Sequence, residues 1–212
     1  MKTLALALAL LGAASTPTHA PVRLLTLGDS FTAGTGATPE QSFPQRLAVR
    51  WRARGIAVDV DDPAVNGYST QELIDRELGE LKSFKPTLVT IAIGANDIVR
   101  HRELPEFRKN VRDILAAVKA AGVPASQIWV LPQPDWSRSP TAAEFGEPAA
   151  FAAKIRAYDA ALREEAQAAG AQWVDLTALF AKQADAHQLA DDGLHPSAAA
   201  YDAWAEQLAT RL

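Results

Sequence analysis

Five short apolar runs, rich in β-branched residues, alternate along the chain with longer amphipathic stretches. The runs fall at 23–27, at 56–60 with 64–65 behind it, at 87–93, at 127–131 and at 172–176. The third run is apolar at nearly every position, which is typical of a strand buried on both faces of a parallel sheet. Strands that alternate with helices in this way predict one α/β domain built of three layers.

The amphipathic stretches predict the helices that cover this sheet. Their apolar residues repeat every three or four positions across 104–118, 151–162 and 201–212, and Gly122 and Gly170 follow the first two as expected stops. In sheets of this kind ligands bind beyond the carboxyl ends of the strands. A functional site is therefore expected in the loops that follow the apolar runs.

Four short polar motifs occur where the predicted strands end or just before the last predicted helix. They are Gly28-Asp29-Ser30 after the first run, Asn66-Gly67 after the second, Gly94-Ala95-Asn96-Asp97 after the third, and Asp191-Asp192-Gly193-Leu194-His195-Pro196 before the last helix. Each motif alone is common, and Asn-Gly in particular is an ordinary turn dipeptide. Their order and their placement at strand ends together predict one active site.

Ser30 and His195 are the predicted nucleophile and base of that site. A serine hydroxyl is a poor nucleophile until a neighbouring base removes its proton, and imidazole is the side chain that titrates near neutrality. Asp192 lies three residues before His195, so in a turn it can face the ring, accept the Nδ1 proton and stabilise the imidazolium. Gly193 permits a tight turn between them, and Pro196 is expected to open the last helix.

Ester hydrolysis also needs hydrogen-bond donors for the oxyanion of the tetrahedral intermediate. Gly67 lacks a Cβ, so its N–H can approach a substrate closely, and the capping-box pattern from Ser69 to Glu72 predicts a helix start directly after it. We therefore expect Gly67 at a helix N-terminus, where negative charge is favoured. The side-chain amide of Asn96 and the N–H of Ser30 are the other two predicted donors.

Composition and charge exclude several other functions. The 212 residues are 48% hydrophobic, carry a formal net charge of −4 with scattered basic residues, and include no cysteine. A nucleic-acid or anionic-membrane binder would concentrate its basic residues on one face. The lack of cysteine excludes a thiolate nucleophile and a Cys-ligated metal. Asp59, Asp61 and Asp62 lack the spacing of a calcium loop, so we expect no metal and no other cofactor.

Residues 1–20 have the pattern of a secretory signal peptide. Lys2 precedes an apolar run at 4–14, and small residues continue to Ala20. The run is shorter than the roughly 20 residues that span a bilayer. The pattern predicts a secreted or periplasmic protein with one domain at 21–212 and no membrane segment after cleavage. The cleavage position stays open, and an apolar first helix in a cytosolic protein is the alternative.

The four motifs resemble the sequence blocks of the SGNH hydrolases, also called the GDSL lipase/esterase family. The resemblance runs from residue 24 to about residue 208, and the first block reads Gly-Asp-Ser-Phe in place of the commoner Gly-Asp-Ser-Leu. It implies a flavodoxin-like α/β/α sandwich with five parallel strands in the order 2-1-3-4-5. It also implies Ser30, Asp192 and His195 as the catalytic triad, and Ser30, Gly67 and Asn96 as the oxyanion hole.

The substrate class is less well defined than the chemistry. The resemblance implies a small-molecule ester substrate, and we expect carboxylic esters with short acyl groups of about two to four carbons, because the 133–148 loop lacks a long apolar lid. Asp135 and Trp136 in this loop are candidate substrate contacts, and the alternative is a proline-fixed loop whose tryptophan only packs. A carbohydrate O-acetylesterase and a lysophospholipase or thioesterase stay open on the same frame. An acyltransferase and a non-catalytic binding protein are remoter alternatives.

Overall fold

A five-stranded parallel sheet forms the centre of the fold in this computed structural model, which describes residues 20–212. Its spatial order is β2-β1-β3-β4-β5, and each neighbouring pair is parallel. The strands are β1 (Val22–Gly28), β2 (Val58–Asp61), β3 (Leu88–Ala92), β4 (Ile128–Val130) and β5 (Gln172–Trp173). The predicted fold class and the predicted strand order are confirmed.

Helices flank the sheet, with α2 packed against α9 and α6 packed against α7. Within residues 20–212 the α-helices are α1 (Ser30–Ala33), α2 (Phe43–Ala53), α3 (Thr70–Glu72), α4 (Glu80–Phe84), α5 (Ala95–Val99), α6 (Leu104–Ala120), α7 (Pro148–Ala168), α8 (Thr177–Asp185) and α9 (Ala198–Ala209). A π-helical turn at Leu73–Glu77 follows α3 directly. Short 3-10 segments lie at Pro39–Gln41, Ala125–Gln127, Trp136–Arg138 and Ala142–Phe145.

The core forms where the apolar faces of these helices meet the sheet. All five residues of β3 are buried, as the continuous apolar run predicts for a central strand. The apolar stripe of α6 is buried at its three- and four-residue spacing, and Trp51 on α2 and Trp204 on α9 are almost completely enclosed. This packing fixes the carboxyl ends of β1 and β3, where two of the polar motifs begin.

The ends of several elements differ from the prediction. The 64–65 pair belongs to a loop, where Val65 is 42% exposed, so β2 is confined to Val58–Asp61. Pro196 does not open the last helix: it forms a bridge with Leu189, and α9 begins two residues later because the Ser197 hydroxyl accepts the N–H of Ala200. Gly122 and Gly170 have φ of +92° and +76° after α6 and α7, which confirms both predicted stops.

Two expectations concern membranes and export. Across residues 20–212, no helix combines the length and the apolar character that crossing a bilayer requires. The predicted signal segment at 1–20 lies, except for Ala20, outside the residues that the structure describes.

Candidate active site

A tight turn at the end of β1 positions Ser30. Gly28 ends the strand, and a Cβ there would lie 2.2 Å from Thr32 Oγ1 and 2.5 Å from the carbonyl oxygen of Ala92. Only glycine fits this contact, so the chain can turn immediately into α1. The Asp29 side chain then caps the helix by accepting the N–H of Phe31 at 3.0 Å. Ser30 is thereby fixed as the first helical residue, with its hydroxyl at the carboxyl edge of the sheet.

The structure brings Ser30, His195 and Asp192 into one hydrogen-bonded row. His195 Nε2 lies 2.9 Å from Ser30 Oγ, and His195 Nδ1 lies 2.7 Å from Asp192 Oδ2. The other carboxylate oxygen of Asp192 accepts the N–H groups of Leu194 and His195, both at 2.9 Å. Gly193 has φ of +67°, which allows the tight turn that puts the carboxylate beside the ring. With Nδ1 protonated toward the carboxylate, Nε2 can accept the serine proton.

The surroundings keep Asp192 ionised. Partial burial by itself raises the pKa of this carboxyl, but the two backbone N–H groups and the His195 ring outweigh it and leave the pKa below its ordinary value. Phe31 covers one side of the imidazole, with ring centroids 5.5 Å apart. His195 is 8% exposed and Ser30 is 5% exposed. An ionised carboxylate and a partly desolvated imidazole suit the task of accepting a proton.

Gly36 is a site residue that the sequence analysis missed. It has φ of +94°, and a Cβ there would lie 2.7 Å from Ala190 Cβ and 3.0 Å from His195 Cβ. The absence of a side chain at Gly36 therefore lets the 190–196 loop pack against the segment after α1. A glycine in a loop gives no local signal of this role, because the contact joins residues more than 150 positions apart.

The loop after β2 supplies the predicted donor Gly67. Tyr68 N donates to Val65 O, which closes a turn with Gly67 as its third residue at φ of +88°, the position that favours glycine in a type II turn. Ser69 then caps α3 as predicted, accepting the N–H of Gln71. Because α3 begins at Thr70, Gly67 lies three residues before the helix. The expectation that Gly67 sits at the helix N-terminus is wrong: the turn and the N-cap residue separate it from the helix.

Asn96 lies in the first turn of α5, directly after β3. Its Nδ2 donates to the carbonyl oxygen of Tyr68 at 2.9 Å, and a side-chain amide carries a second hydrogen. The next residue, Asp97, is fully buried and accepts both the N–H of Thr70 at 2.9 Å and the Thr70 hydroxyl at 2.6 Å. Burial raises the pKa of Asp97, although these bonds and Arg102 oppose the rise. Both contacts join α5 to the loop that carries Gly67.

A cavity of about 120 Å³ opens beside the serine hydroxyl. Its polar wall contains Ser30, Asn66, Asn96 and His195. Its apolar wall contains Phe31, Ala95, Val99, Trp136, Phe145 and Leu194. Within the described chain the lining includes Asn66 but not Gly67, which follows it in the same turn. The arrangement places a serine hydroxyl, an imidazole and a side-chain amide in the wall of one small cavity that is otherwise mostly apolar.

The two candidate substrate contacts separate in the structure. Trp136 lines this cavity, but it is only 5% exposed and packs edge-on against Phe145 and Phe151, with centroids 5.3 and 4.3 Å away. It therefore both packs and forms part of the wall. Asp135 lines a neighbouring cavity of about 40 Å³, which shares Trp136 and Leu194 with the first. Asp135 is not among the described residues that line the cavity beside Ser30.

A third cavity, of about 160 Å³, adjoins the cavity beside Ser30. It shares Val99 and Phe145 with the cavity beside Ser30. Ile98 and Phe151 add to its apolar lining, and His101, Glu144 and Lys154 are its polar residues. Phe145, which the sequence analysis did not select, thus lines both spaces, as Val99 does.

Two buried carboxyl groups, those of Glu77 and Asp29, lie close to the turn that carries Ser30. Glu77 is 1% exposed and its Oε2 accepts the N–H of Gly28 at 2.9 Å. Burial raises the pKa of Glu77 to about 8, and the pKa of the neighbouring Asp29 to about 7, against the opposing effect of their backbone hydrogen bonds. Glu77 satisfies the last N–H of β1, so it supports the turn that presents Ser30. Sequence reasoning missed it because a glutamate in a helical stretch is usually exposed.

Comparison with known proteins matches most of the chain to one sequence family. A sequence model described as the GDSL-like Lipase/Acylhydrolase family matches residues 26–203. The chain is 31% identical over 98 residues to the thioesterase 1/protease 1/lysophospholipase L1 of Escherichia coli strain K12, an alignment that spans 46% of each chain. It is 28% identical over 133 residues to an arylesterase of Vibrio mimicus, and this alignment spans 63% of this chain and 66% of the arylesterase. The matched segment is thus about half the length of the first relative and about two thirds of the second.

Solved structures share the fold. The crystal structure of the acetyl xylan esterase AlAXEase superimposes with a TM-score of 0.73 over 90% of this chain and 100% of that chain. The two sequences are 15% identical, so this likeness concerns the fold alone.

Proposed function

Because the chain belongs to the GDSL-like lipase/acylhydrolase family and is an ester hydrolase, we propose that it acts as a serine esterase through Ser30, His195 and Asp192. The observation that carries the proposal is the continuous row from Ser30 Oγ to His195 Nε2 at 2.9 Å and from His195 Nδ1 to Asp192 Oδ2 at 2.7 Å. A nucleophile, a base and an orienting carboxylate in this order are the parts that acyl transfer requires.

In the first half of the proposed reaction, Ser30 Oγ bonds to the ester carbonyl carbon while its proton passes to His195 Nε2. The carbonyl electron pair moves onto oxygen, and this oxyanion accepts hydrogen bonds from the free amide hydrogen of Asn96 and the N–H groups of Ser30 and Gly67. Asp192 stabilises the imidazolium. The intermediate collapses, the carbon–oxygen bond to the alcohol breaks, and the alcohol leaves with the proton from His195.

The second half repeats these steps with water. His195 takes a proton from a water molecule as the water oxygen bonds to the acyl carbon, and the same donors bind the new oxyanion. Cleavage of the bond to Ser30 Oγ then releases the carboxylic acid and returns the proton to the serine. The same acyl-enzyme would serve an acyltransferase if a hydroxyl replaced the water.

The substrates we propose are carboxylic esters with a short acyl group. The cavity of about 120 Å³ is smaller than the roughly 150 Å³ cavity that holds a benzene ring, so an acyl group of about two to four carbons fills it. Acetylated carbohydrates meet the same limit on the acyl side. Thioesterase or lysophospholipase activity, as named for the Escherichia coli relative, is the second candidate. An acyl chain much longer than four carbons would have to displace Phe145 or Trp136 in the cavity wall.

We further propose that residues 1–20 form a signal peptide and that 21–212 is one exported domain. The basic residue, apolar run and small residues of that segment support this, and the family match at 26–203 begins after it. N-terminal sequencing of the protein recovered from the extracytoplasmic fraction tests it. An unprocessed chain in the cytosol would contradict the proposal.

Replacement of the serine tests the catalytic proposal. Ser30→Ala should abolish turnover of p-nitrophenyl acetate and block labelling by a fluorophosphonate probe, because no other hydroxyl lies in the row of hydrogen bonds within the described residues. Ser42→Ala is the matched control, since Ser42 is also buried, at 1% exposed. A Ser30→Ala protein that keeps its turnover would refute the assignment. An unmodified protein that is neither labelled nor able to hydrolyse any ester or acetylated sugar would favour a binding protein, whereas full labelling without hydrolysis would favour an acyltransferase.

A further inference from the structure

The end of the loop that carries Gly67, together with Thr70 at the start of α3, is attached to α5 by a series of side-chain contacts. Asn96 donates to the carbonyl oxygen of Tyr68 and Asp97 accepts from Thr70, as described above. Arg100, which caps the end of α5, makes the remaining contact: its Nη2 donates to the carbonyl oxygen of Gly67 at 2.6 Å. One short helix therefore contacts three residues in and directly after the loop that carries the proposed oxyanion donor.

The Arg100 guanidinium makes two contacts at once. Its Nη1 donates to Glu72 Oε1 at 2.6 Å, while Glu72 Oε2 accepts the N–H of Ser69 at 2.9 Å. Partial burial raises the pKa of Glu72, but Ser69 and Arg100 outweigh that effect and bring the pKa to about 2. Glu72 is therefore ionised under ordinary conditions and keeps the guanidinium plane directed at Gly67.

The Arg100 side chain is not part of the wall of the cavity beside Ser30, as residues 20–212 form it. This side chain is 46% exposed. Its other partner, Gly67, has no side chain to pack, and a Cβ there would meet nothing within 4 Å. Packing therefore does little to hold Gly67 in place. Its carbonyl oxygen lies in the Gly67–Tyr68 peptide, whose N–H donates to Val65 O, and the guanidinium bond adds a second restraint on this peptide, next to the Gly67 N–H.

We infer that Arg100 is a positioning residue that restrains the Gly67 loop relative to Asn96, so that the Gly67 N–H and the Asn96 amide can both donate to the oxygen on which negative charge develops. This inference rests on the proposed function. The planar guanidinium fork is required because it bonds Gly67 and Glu72 together. A lysine ammonium is a single compact charge and cannot match both acceptors in that geometry. Loss of the restraint should cost transition-state stabilisation and leave ground-state binding nearly intact.

The test compares Arg100→Met with Arg112→Met in the full chain. Arg112 is a matched control because it is similarly exposed, at 54%, and also bonds one carboxylate, on Glu165, at 3.0 Å. With p-nitrophenyl acetate, Arg100→Met should lower kcat by about 10- to 100-fold, since small misplacements of catalytic groups have effects of this size, with KM changed less than about threefold. Arg112→Met should leave both parameters near those of the unmodified enzyme. Guanidinium ions added to Arg100→Ala should restore part of kcat.

Two results would overturn the inference. An unchanged kcat in a folded Arg100→Met protein would make Arg100 an ordinary surface ion pair, and a raised KM at constant kcat would mean that it binds substrate. If Arg100→Met does not fold, Arg100→Lys retains the positive charge and should still show the loss in kcat. Asn96→Ala, measured alongside, separates the two proposals: if it too leaves kcat unchanged, the oxyanion hole itself is wrong.

Discussion

Phe145→Ala should lengthen the acyl chains that the enzyme accepts. The ring lines both the cavity beside Ser30, about 120 Å³, and the adjoining one of about 160 Å³, so we expect its removal to join them and more than double the available space. At roughly 30 Å³ for a group the size of a water molecule, the added space has room for about five methylenes. Each methylene that becomes fully buried contributes about 0.8 kcal/mol, or about a fourfold gain in kcat/KM.

The expected change is smaller than that limit because the adjoining cavity is open to water and carries charged residues. If half of the added chain is buried, four extra methylenes give about 1.6 kcal/mol, or about a 15-fold gain. The ratio of kcat/KM for p-nitrophenyl octanoate to that for the butyrate should therefore rise about 15-fold in Phe145→Ala. The substitution also removes the edge-on contact with Trp136, an aromatic pair of about 0.5–1.5 kcal/mol, so thermal unfolding should occur at a somewhat lower temperature.

The assay is a series of p-nitrophenyl esters from C2 to C16 on four proteins. Phe145→Trp keeps an aromatic ring in the wall shared by the two cavities and should keep the preference for short acyl chains. Trp136→Ala opens toward the cavity of about 40 Å³, which has space for about one methylene, so its extension should be modest. A maximum at C10 or beyond in the unmodified enzyme, or an unchanged profile in Phe145→Ala, would refute the reasoning that this wall limits the acyl group.

Two further predictions concern the oxyanion donor and the buried carboxyl group of Glu77. Asn96→Ala should lower kcat by about 10²–10³ with a smaller change in KM, because the oxyanion is absent from the ground state. A rise in KM with kcat unchanged would mean that Asn96 only supports its loop. The pKa of Glu77 is raised to about 8 from 4.5, so between these pH values the folded state holds a proton that the unfolded state has released. The contribution of Glu77 to the free energy of unfolding is therefore complete below about pH 4.5 and is lost as the pH rises toward 8. Glu77→Gln, which keeps an acceptor for Gly28, should flatten this decline in chemical denaturation by up to about 1.4 kcal/mol per pH unit, and an unchanged slope would contradict it.

The sequence predicted the features of this fold that depend on local spacing. The apolar runs located the strands, and the three-residue spacing of Asp192 and His195 is itself enough to bring a carboxylate to a ring within one turn. The helix start after Gly67 was also placed correctly, because a capping box is a local pattern. Pro196 was misplaced as a helix start because Ser197, which can accept an N–H, is the stronger cap.

The features that escaped prediction depend on contacts between distant segments. Phe145 lies in a short 3-10 segment with no periodicity to mark it, and its role follows only from the two cavities that it lines. Gly36 meets His195, and Glu77 meets Gly28, 49 positions earlier in the chain. No spacing rule connects such pairs, since the tertiary fold alone decides which segments meet.

The separation of Ser30 and His195 along the chain has a consequence for biosynthesis. The two residues that share the 2.9 Å hydrogen bond are 165 positions apart, one on the turn after the first strand and the other in the loop before the last helix. A growing chain would carry its nucleophile and its oxyanion donors long before it has a base. Under the proposed mechanism, an incomplete or unfolded chain cannot acylate itself on esters it meets, and esterase activity would begin only when the 190–196 loop has closed over the sheet.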